Sequence, residues 1–300
     1  MRNYIVYDIG GSAVKWSVIN ENGEFLKSGS VGIAETVEEF FNTLSDITNK
    51  NRDEFKLEGI AISSPGAVDS ESGIVYGASA IPYIHGPNFK EILFNKTDLK
   101  VEIENDANCA ALGECWLGAG KKEADLAFVV CGTGIGGALV KDKRIHKGVN
   151  KHGGEFGYCI VDVDKNSENK YLTWSKVGST AALARKIAKR KGIDIKDFNG
   201  LKAFELYENN DEIAIEEVNN YFTYMAVGIY NIQYTYDPEV IILGGGISER
   251  EGFIEEIDKR LNEIMLINKD GKIKPVVRKC EYGNNANKLG ALYNFIQRQG

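Results

Sequence analysis

Residues 4–20 read YIVYDIGGSAVKWSVIN. The run Tyr4-Ile5-Val6-Tyr7 is apolar and β-branched, Gly10-Gly11-Ser12 interrupts it, and the apolar pattern resumes at residues 16–19. This spacing predicts two strands joined by a tight glycine turn. A similar passage returns about 120 residues later, where residues 124–140 read ADLAFVVCGTGIGGALV. Again an apolar strand runs into glycines and a second strand follows. No helix directly follows either turn, which separates both copies from a strand–loop–helix nucleotide fold.

The rest of the chain alternates strands and helices around these two passages. Asn22-Gly23 favours a tight turn into a third strand at residues 24–31. Residues 36–50 have helical spacing, with Thr36 as the expected N-cap. Buried strands are predicted at 59–63, 101–104 and 240–243, and helices at 107–117, 179–191, 213–236, 249–265 and 286–299. Asp237-Pro238 ends the helix at 213–236. Length points to two cores, because single cores tend to split beyond roughly 250–300 residues. The expected domains are 1–115 and 116–286, with the helix at about 287–300 packing back on the first.

Composition narrows the function. Of 300 residues, 43% are hydrophobic and 26% charged, the net charge is −7, and the isoelectric point near 5.3 argues against nucleic acid as the main partner. The basic residues at 185–190 read as a solvated helix face. No apolar run approaches the roughly 20 residues that cross a bilayer, and the apolar stretch after Arg2 ends at Asp8, too early for a signal peptide. The cysteines at 109, 115, 131, 159 and 280 are odd in number and form no C-x-x-C pair. Reduced thiols and a cytoplasmic location are expected. His85, His146 and His152 do not cluster with them, so no metal site is read there.

Three glycine turns follow apolar strands: Asp8-Ile9-Gly10-Gly11-Ser12, the Gly132–Gly137 run, and Gly244-Gly245-Gly246. Glycines leave backbone N–H groups bare, so an anion can approach to hydrogen-bond distance. Ser12 and Thr133 add hydroxyls, and Lys15 adds a cation. Asp8 cannot bind phosphate directly but can hold magnesium through water. One such turn alone reads most simply as an ordinary hairpin, but three together favour nucleotide phosphate. The segment Glu104-Asn105-Asp106-Ala107-Asn108 joins a strand to a helix. Asn105 or Asp106 can cap that helix. Alternatively Asp106 takes the proton of a sugar hydroxyl while Asn105 holds neighbouring hydroxyls. Glu155, flanked by glycines, is expected to face a salt bridge or a ligand with hydroxyls.

Together these residues resemble the ROK family of sugar kinases and repressors, over essentially the whole chain. Asp8–Ser12 with Lys15 looks like the first phosphate motif and 104–108 like the catalytic motif, with Asp106 as general base. Gly132, Thr133 and Gly134 look like the second phosphate motif, and Gly245 and Gly246 like part of the adenosine motif. Residues 154–157 are similar to the sugar-binding E-x-G-H segment. The resemblance implies two ribonuclease-H-like α/β domains of the actin-like ATPase and hexokinase kind, with ATP and sugar in the cleft between them. It implies transfer of the γ-phosphoryl group to a sugar hydroxyl, usually the 6-hydroxyl, with Gly66, Asn105, Asp106 and Glu155 holding the sugar. ATP, magnesium and sugar are the expected ligands, and a homodimer the expected assembly.

Two departures stand out. Tyr158 replaces the family's histidine, and Ser175 stands where a second sugar-binding glutamate is expected. The family's zinc-binding cysteine cluster is missing, with Cys159 alone in the region, so no zinc is expected. Tyr158 and Ser175 are then expected to line the C1/C2 side of the sugar and leave room for a 2-acetamido group. Residues 77–89 resemble zinc-free members acting on N-acetylmannosamine, glucose or β-glucosides, and N-acetylmannosamine is the favoured reading. A regulator remains the alternative, although ROK repressors carry an N-terminal helix-turn-helix extension and this chain enters its first strand by residue 3 or 4.

Overall fold

The computed structural model describes residues 1–166, 168 and 170–300, which divide into two units. The first comprises Met1–Lys121, Lys143–Ile145 and Asn284–Gly300; the second comprises Lys122–Asp142 and His146–Gly283.

In the first unit, β1 (Asn3–Ile9) pairs antiparallel with β2 (Ala13–Asn20), in register from Ile9↔Val14 to Asn3↔Asn20. β1 and β2 are largely buried, whereas Gly10-Gly11-Ser12 is exposed at the tip, where the Gly10 N–H closes the turn on Ala13 O at 3.0 Å. Next come β3 (Phe25–Gly32), α1 (Val37–Phe55), β4 (Leu57–Ser64) and the small hairpin β5 (Ala67–Asp69) and β6 (Ile74–Tyr76). Then follow α2 (Phe89–Thr97), β7 (Lys100–Asn105) and α3 (Asp106–Trp116). The sheet runs β3-β2-β1-β4-β7, with β1, β4 and β7 parallel.

Helix α1 starts where the sequence predicts. Thr36 accepts the Glu39 N–H at 3.2 Å, and the helix continues one turn beyond residue 50 to a left-handed Lys56. Its last turns bury polar residues, so hydrophobic spacing could not reveal them. Thr48 donates to Leu44 O at 2.8 Å and Asn51 Nδ2 to Ile47 O at 2.7 Å, so both side-chain donors are met within the helix, while Asn51 Oδ1 has no partner among the described residues. Phe40, Phe41 and Phe89 pack edge to face beneath, with centroids 4.9–6.1 Å apart. Each fully buried ring of this kind contributes about 1.5–3 kcal/mol.

The second unit repeats the plan. β8 (Leu126–Cys131) pairs antiparallel with β9 (Ile135–Lys141) through the second glycine turn. After β10 (Arg144–Ile145), which belongs to the first unit, come β11 (Ile160–Val163) and β12 (Tyr171–Thr173). Helices α4 (Trp174–Gly178), α5 (Thr180–Lys191), α6 (Gly200–Glu208) and α7 (Glu212–Tyr236) follow. β13 (Val240–Gly244), α8 (Phe253–Ile267) and β14 (Val277–Lys279) complete the unit, with β13 parallel to both β8 and β14. Helix α8 begins four residues later than its spacing predicts, because residues 246–249 form a 3-10 turn and Gly252 is left-handed at φ 75°. Trp174, Tyr221, Phe222 and Phe253 are fully buried in this core.

The last helix, α9 (Ala286–Gln299), lies against α3 within the first unit. A Cβ on Gly290 would overlap the Cys109 carbonyl, and one on Gly113 would overlap that of Ala286. The two backbones therefore touch, and only glycine permits it.

Candidate functional site

Within the first unit, the glycine turn and the 104–108 segment share one group of interactions. Asp8 and Lys15 are cross-strand partners, so both point to the same sheet face; Asp8 is half-buried and Lys15 exposed. Asp8 Oδ1 accepts from Ser63 Oγ at 3.0 Å and from Asn287 Nδ2 at 3.2 Å. Beside Asn287, the buried Lys288 donates to Ser17 Oγ at 3.1 Å and lies 5.0 Å over the Phe25 ring.

Asn105, not Asp106, caps α3. Its Oδ1 accepts from the Ala107 N–H at 2.9 Å and the Asn108 N–H at 3.2 Å, while its Nδ2 donates to Gly66 O at 3.0 Å. That carbonyl belongs to a residue at φ 97°, where a Cβ would come within 2.8 Å of Val75 Cγ1. Glycine is thus required at 66, and Asn105 ties its loop to the head of α3. Expected to hold sugar hydroxyls, Asn105 has its oxygen and one of its two amide protons committed to the fold. Glu104, 2% exposed, anchors the segment: it accepts from the Asn105 N–H at 2.9 Å, Asn108 Nδ2 at 2.9 Å and Ser70 Oγ at 2.8 Å.

Asp106 is the first residue of α3. Its Oδ1 takes the Ala107 N–H at 2.8 Å. Burial pushes the carboxyl above the usual aspartate range, and the nearby charge of Asp8 pushes the same way; the Ala107 N–H opposes both. The capping account thus belongs to Asn105, and Asp106 is left as a carboxyl whose proton affinity is enhanced.

In the second unit, the two remaining glycine turns border one cavity of about 800 Å³. Gly132, Thr133, Thr180, Phe204, Gly246 and Arg250 are among its walls. The Gly132 carbonyl accepts from Thr180 Oγ1 at 2.7 Å and from the Thr180 N–H at 3.1 Å, fastening the turn to the start of α5. A helix N-terminus adds favourable potential for an anion there. Gly245, at φ 93°, lies so close to the Cys131 carbonyl that no side chain fits, which holds the third turn against the end of β8. Opposite, the Arg250 guanidinium stacks 4.8 Å over Phe204 and is held by Glu208 at 2.8 Å.

Gly134 faces Ser175, which proves to be a support of this turn. Ser175 Oγ accepts from the Ile135 N–H at 2.9 Å and donates to Ile135 O at 3.2 Å. Its hydroxyl is thus engaged by both backbone groups of Ile135 on β9. Glu155 is exposed, so no burial cost forces a partner on it. Gly154, at φ 93° and within 2.6 Å of Ala138 Cα for any added Cβ, presses its segment onto β9. Tyr158 ends the following 3-10 turn and is 73% exposed. Among the described residues, no group of three or more His, Cys, Asp or Glu side chains could hold a metal ion, and no helix is long and apolar enough to cross a membrane.

Sequence reasoning missed Ser63, Ser70, Thr180 and Asn287. Each acts by a hydrogen bond to a distant segment, and none lies in a pattern that spacing alone exposes.

The ROK family model matches residues 4–298. A β-glucoside kinase from Listeria innocua is 32% identical, over 98% of this chain and 97% of its own. An N-acetyl-D-glucosamine kinase from Histophilus somni is 30% identical, over 98% and 99%. The crystal structure of a ROK family protein from Streptococcus pneumoniae, in complex with sucrose, is 35% identical, with a TM-score of 0.90 covering 99% of both chains.

Proposed function

Because the chain belongs to the ROK family, and so has the actin-like ATPase and hexokinase fold, we propose that it is an ATP-dependent sugar kinase acting on a sugar 6-hydroxyl. The observation that carries this reading is Asp106: a carboxyl at the head of α3, relieved of capping by Asn105 and pushed up in proton affinity by burial and by Asp8. Such a group is suited to accept a proton more readily than an ordinary aspartate.

In the proposed reaction, the sugar O6–H gives its proton to Asp106 as O6 bonds to the γ-phosphorus. The bond from that phosphorus to the β–γ bridging oxygen breaks, and ADP leaves with the bond's electron pair. The proposed phosphate ligands are the N–H groups, hydroxyls and cation of Gly10, Gly11, Ser12 and Lys15, and of Gly132, Thr133 and Gly134. Gly245, Gly246 and the 800 Å³ cavity take the nucleoside. Magnesium, when bound with the nucleotide, neutralises charge on the phosphates. Asp8, with one oxygen already hydrogen-bonded and hard oxygen donors only, fits a role as its holder through water. Gly66, Asn105, Glu155 and Tyr158 are the proposed sugar neighbours.

For the sugar, the favoured reading is N-acetylmannosamine, since this chain lacks the histidine and the second glutamate that the family resemblance places on the C1/C2 side, where an acetamido substituent would sit. The likeness to the Listeria innocua β-glucoside kinase favours a second reading, a β-glucoside. A coupled ADP-release assay over N-acetylmannosamine, N-acetylglucosamine, glucose, mannose and cellobiose separates them. N-acetylmannosamine is expected to give the highest kcat/KM. Preference for cellobiose installs the second reading, and failure of every sugar to stimulate ATP turnover overturns the kinase.

A further inference from the structure

We infer that Asn287, on the last helix, is a positioning residue that sets the orientation of Asp8 for the magnesium–nucleotide. The inference rests on the kinase reading and extends it to a helix that carries none of the motifs.

Asp8 stands one residue before the end of β1, next to an exposed glycine turn, and is half-buried. Two donors hold it, and both meet the same oxygen: Ser63 Oγ at 3.0 Å from β4, and Asn287 Nδ2 at 3.2 Å from α9. With Oδ1 engaged twice, the carboxylate plane is fixed and Oδ2 is the oxygen left to serve a metal-bound water. Neutral donors do this without cancelling the negative charge that a cation needs. A lysine or arginine in place of Asn287 would pair with Asp8 and compete with magnesium.

The donor is itself held rigidly. Asn287 lies in the first turn of α9, and one turn further Gly290 touches the backbone of α3 at Cys109, while Gly113 of α3 touches Ala286. Helix α3 carries Asp106 at its other end. Close-packed helices transmit position because neither can slide without overlap. Asn287 therefore links the placement of Asp8 to that of Asp106, whose proton affinity responds to Asp8's charge.

The test compares wild type with Asn287→Ala, Asn287→Gln and Ser63→Ala, each checked by thermal unfolding. Calorimetry measures ADP affinity with and without magnesium, and steady-state kinetics measure kcat, sugar KM and the magnesium midpoint. For Asn287→Ala the expected result is roughly a tenfold loss in the magnesium-dependent gain in ADP affinity. The magnesium midpoint should rise by a similar factor and kcat should fall. ADP affinity without magnesium and sugar KM should remain at wild-type values. Asn287→Gln should recover part of the loss, because it restores an amide donor. An Asn287→Ala protein that folds and keeps the wild-type magnesium increment overturns the inference while leaving the kinase intact. Should Asn287→Ala fail to fold, Ser63→Ala and Asn287→Gln decide: wild-type increments in both overturn it. A wild type that phosphorylates no sugar with magnesium–ATP instead sinks the kinase reading first.

Discussion

Replacing Asp106 with Asn separates catalysis from folding in this protein. The structure sets both magnitudes. Asn has the shape of Asp and keeps an oxygen for the Ala107 N–H, now 2.8 Å from Asp106 Oδ1. The cap of α3 rests on Asn105 through its bonds to Ala107 and Asn108, so the helix start survives. What disappears is the base. Loss of a positioned base lowers turnover by about 10²–10⁴, or about 2.7–5.5 kcal/mol of barrier. Stability moves the other way. Folding raises the Asp106 pKa, so the stability associated with this group is present below the unfolded carboxyl's pKa and is lost as pH rises through the folded one. Asp106→Asn escapes that loss. Its melting temperature at pH 7 should equal or exceed that of wild type, with the margin shrinking as pH falls into the carboxyl range. Coupled ADP release gives turnover, and scanning calorimetry from pH 4 to 8 gives stability. The wild-type kcat/KM should also fall on the acid side at a pH above that of an ordinary aspartate. A variant with turnover within about threefold of wild type would refute the base assignment, and a variant melting well below wild type at pH 7 would refute the account of its environment.

Ser175→Ala should cost about 1–2 kcal/mol by leaving the Ile135 backbone groups without their partner, and should raise the KM for ATP while the ranking of sugars stays as in wild type. A reordered sugar ranking would return Ser175 to the sugar side. Gly245→Ala should destabilise the second unit by about 2 kcal/mol or more, because the residue sits at φ 93° with no room before the Cys131 carbonyl. Chemical denaturation reads this directly, and an unchanged midpoint would contradict the crowding seen at that turn.

Local order was legible in the sequence wherever neighbouring residues carry the cause. Continuous apolar runs on either side of Gly10-Gly11-Ser12 and of Gly132–Gly134 announce two strand–turn–strand passages, since short apolar β-branched runs favour buried strands and glycine permits the tight turn. Thr36 announces α1 because a hydroxyl three residues before Glu39 finds its N–H regardless of the rest of the fold. The 104–108 motif likewise marks a strand-to-helix junction. The division of labour inside that junction was not legible. Either Asn105 or Asp106 could have capped α3, and the choice fell to Asn105 because β7 brings it beside the Gly66 loop. Ser175 shows the same limit: its spacing suggests a ligand contact, but packing against β9 offers its hydroxyl both backbone groups of Ile135. The hydrogen bond from Asn287 to Asp8 joins residues 279 positions apart. No local pattern encodes such a pair, because it exists only once Gly113 and Gly290 have let α3 and α9 pack at backbone distance and so brought the end of the chain back to its beginning.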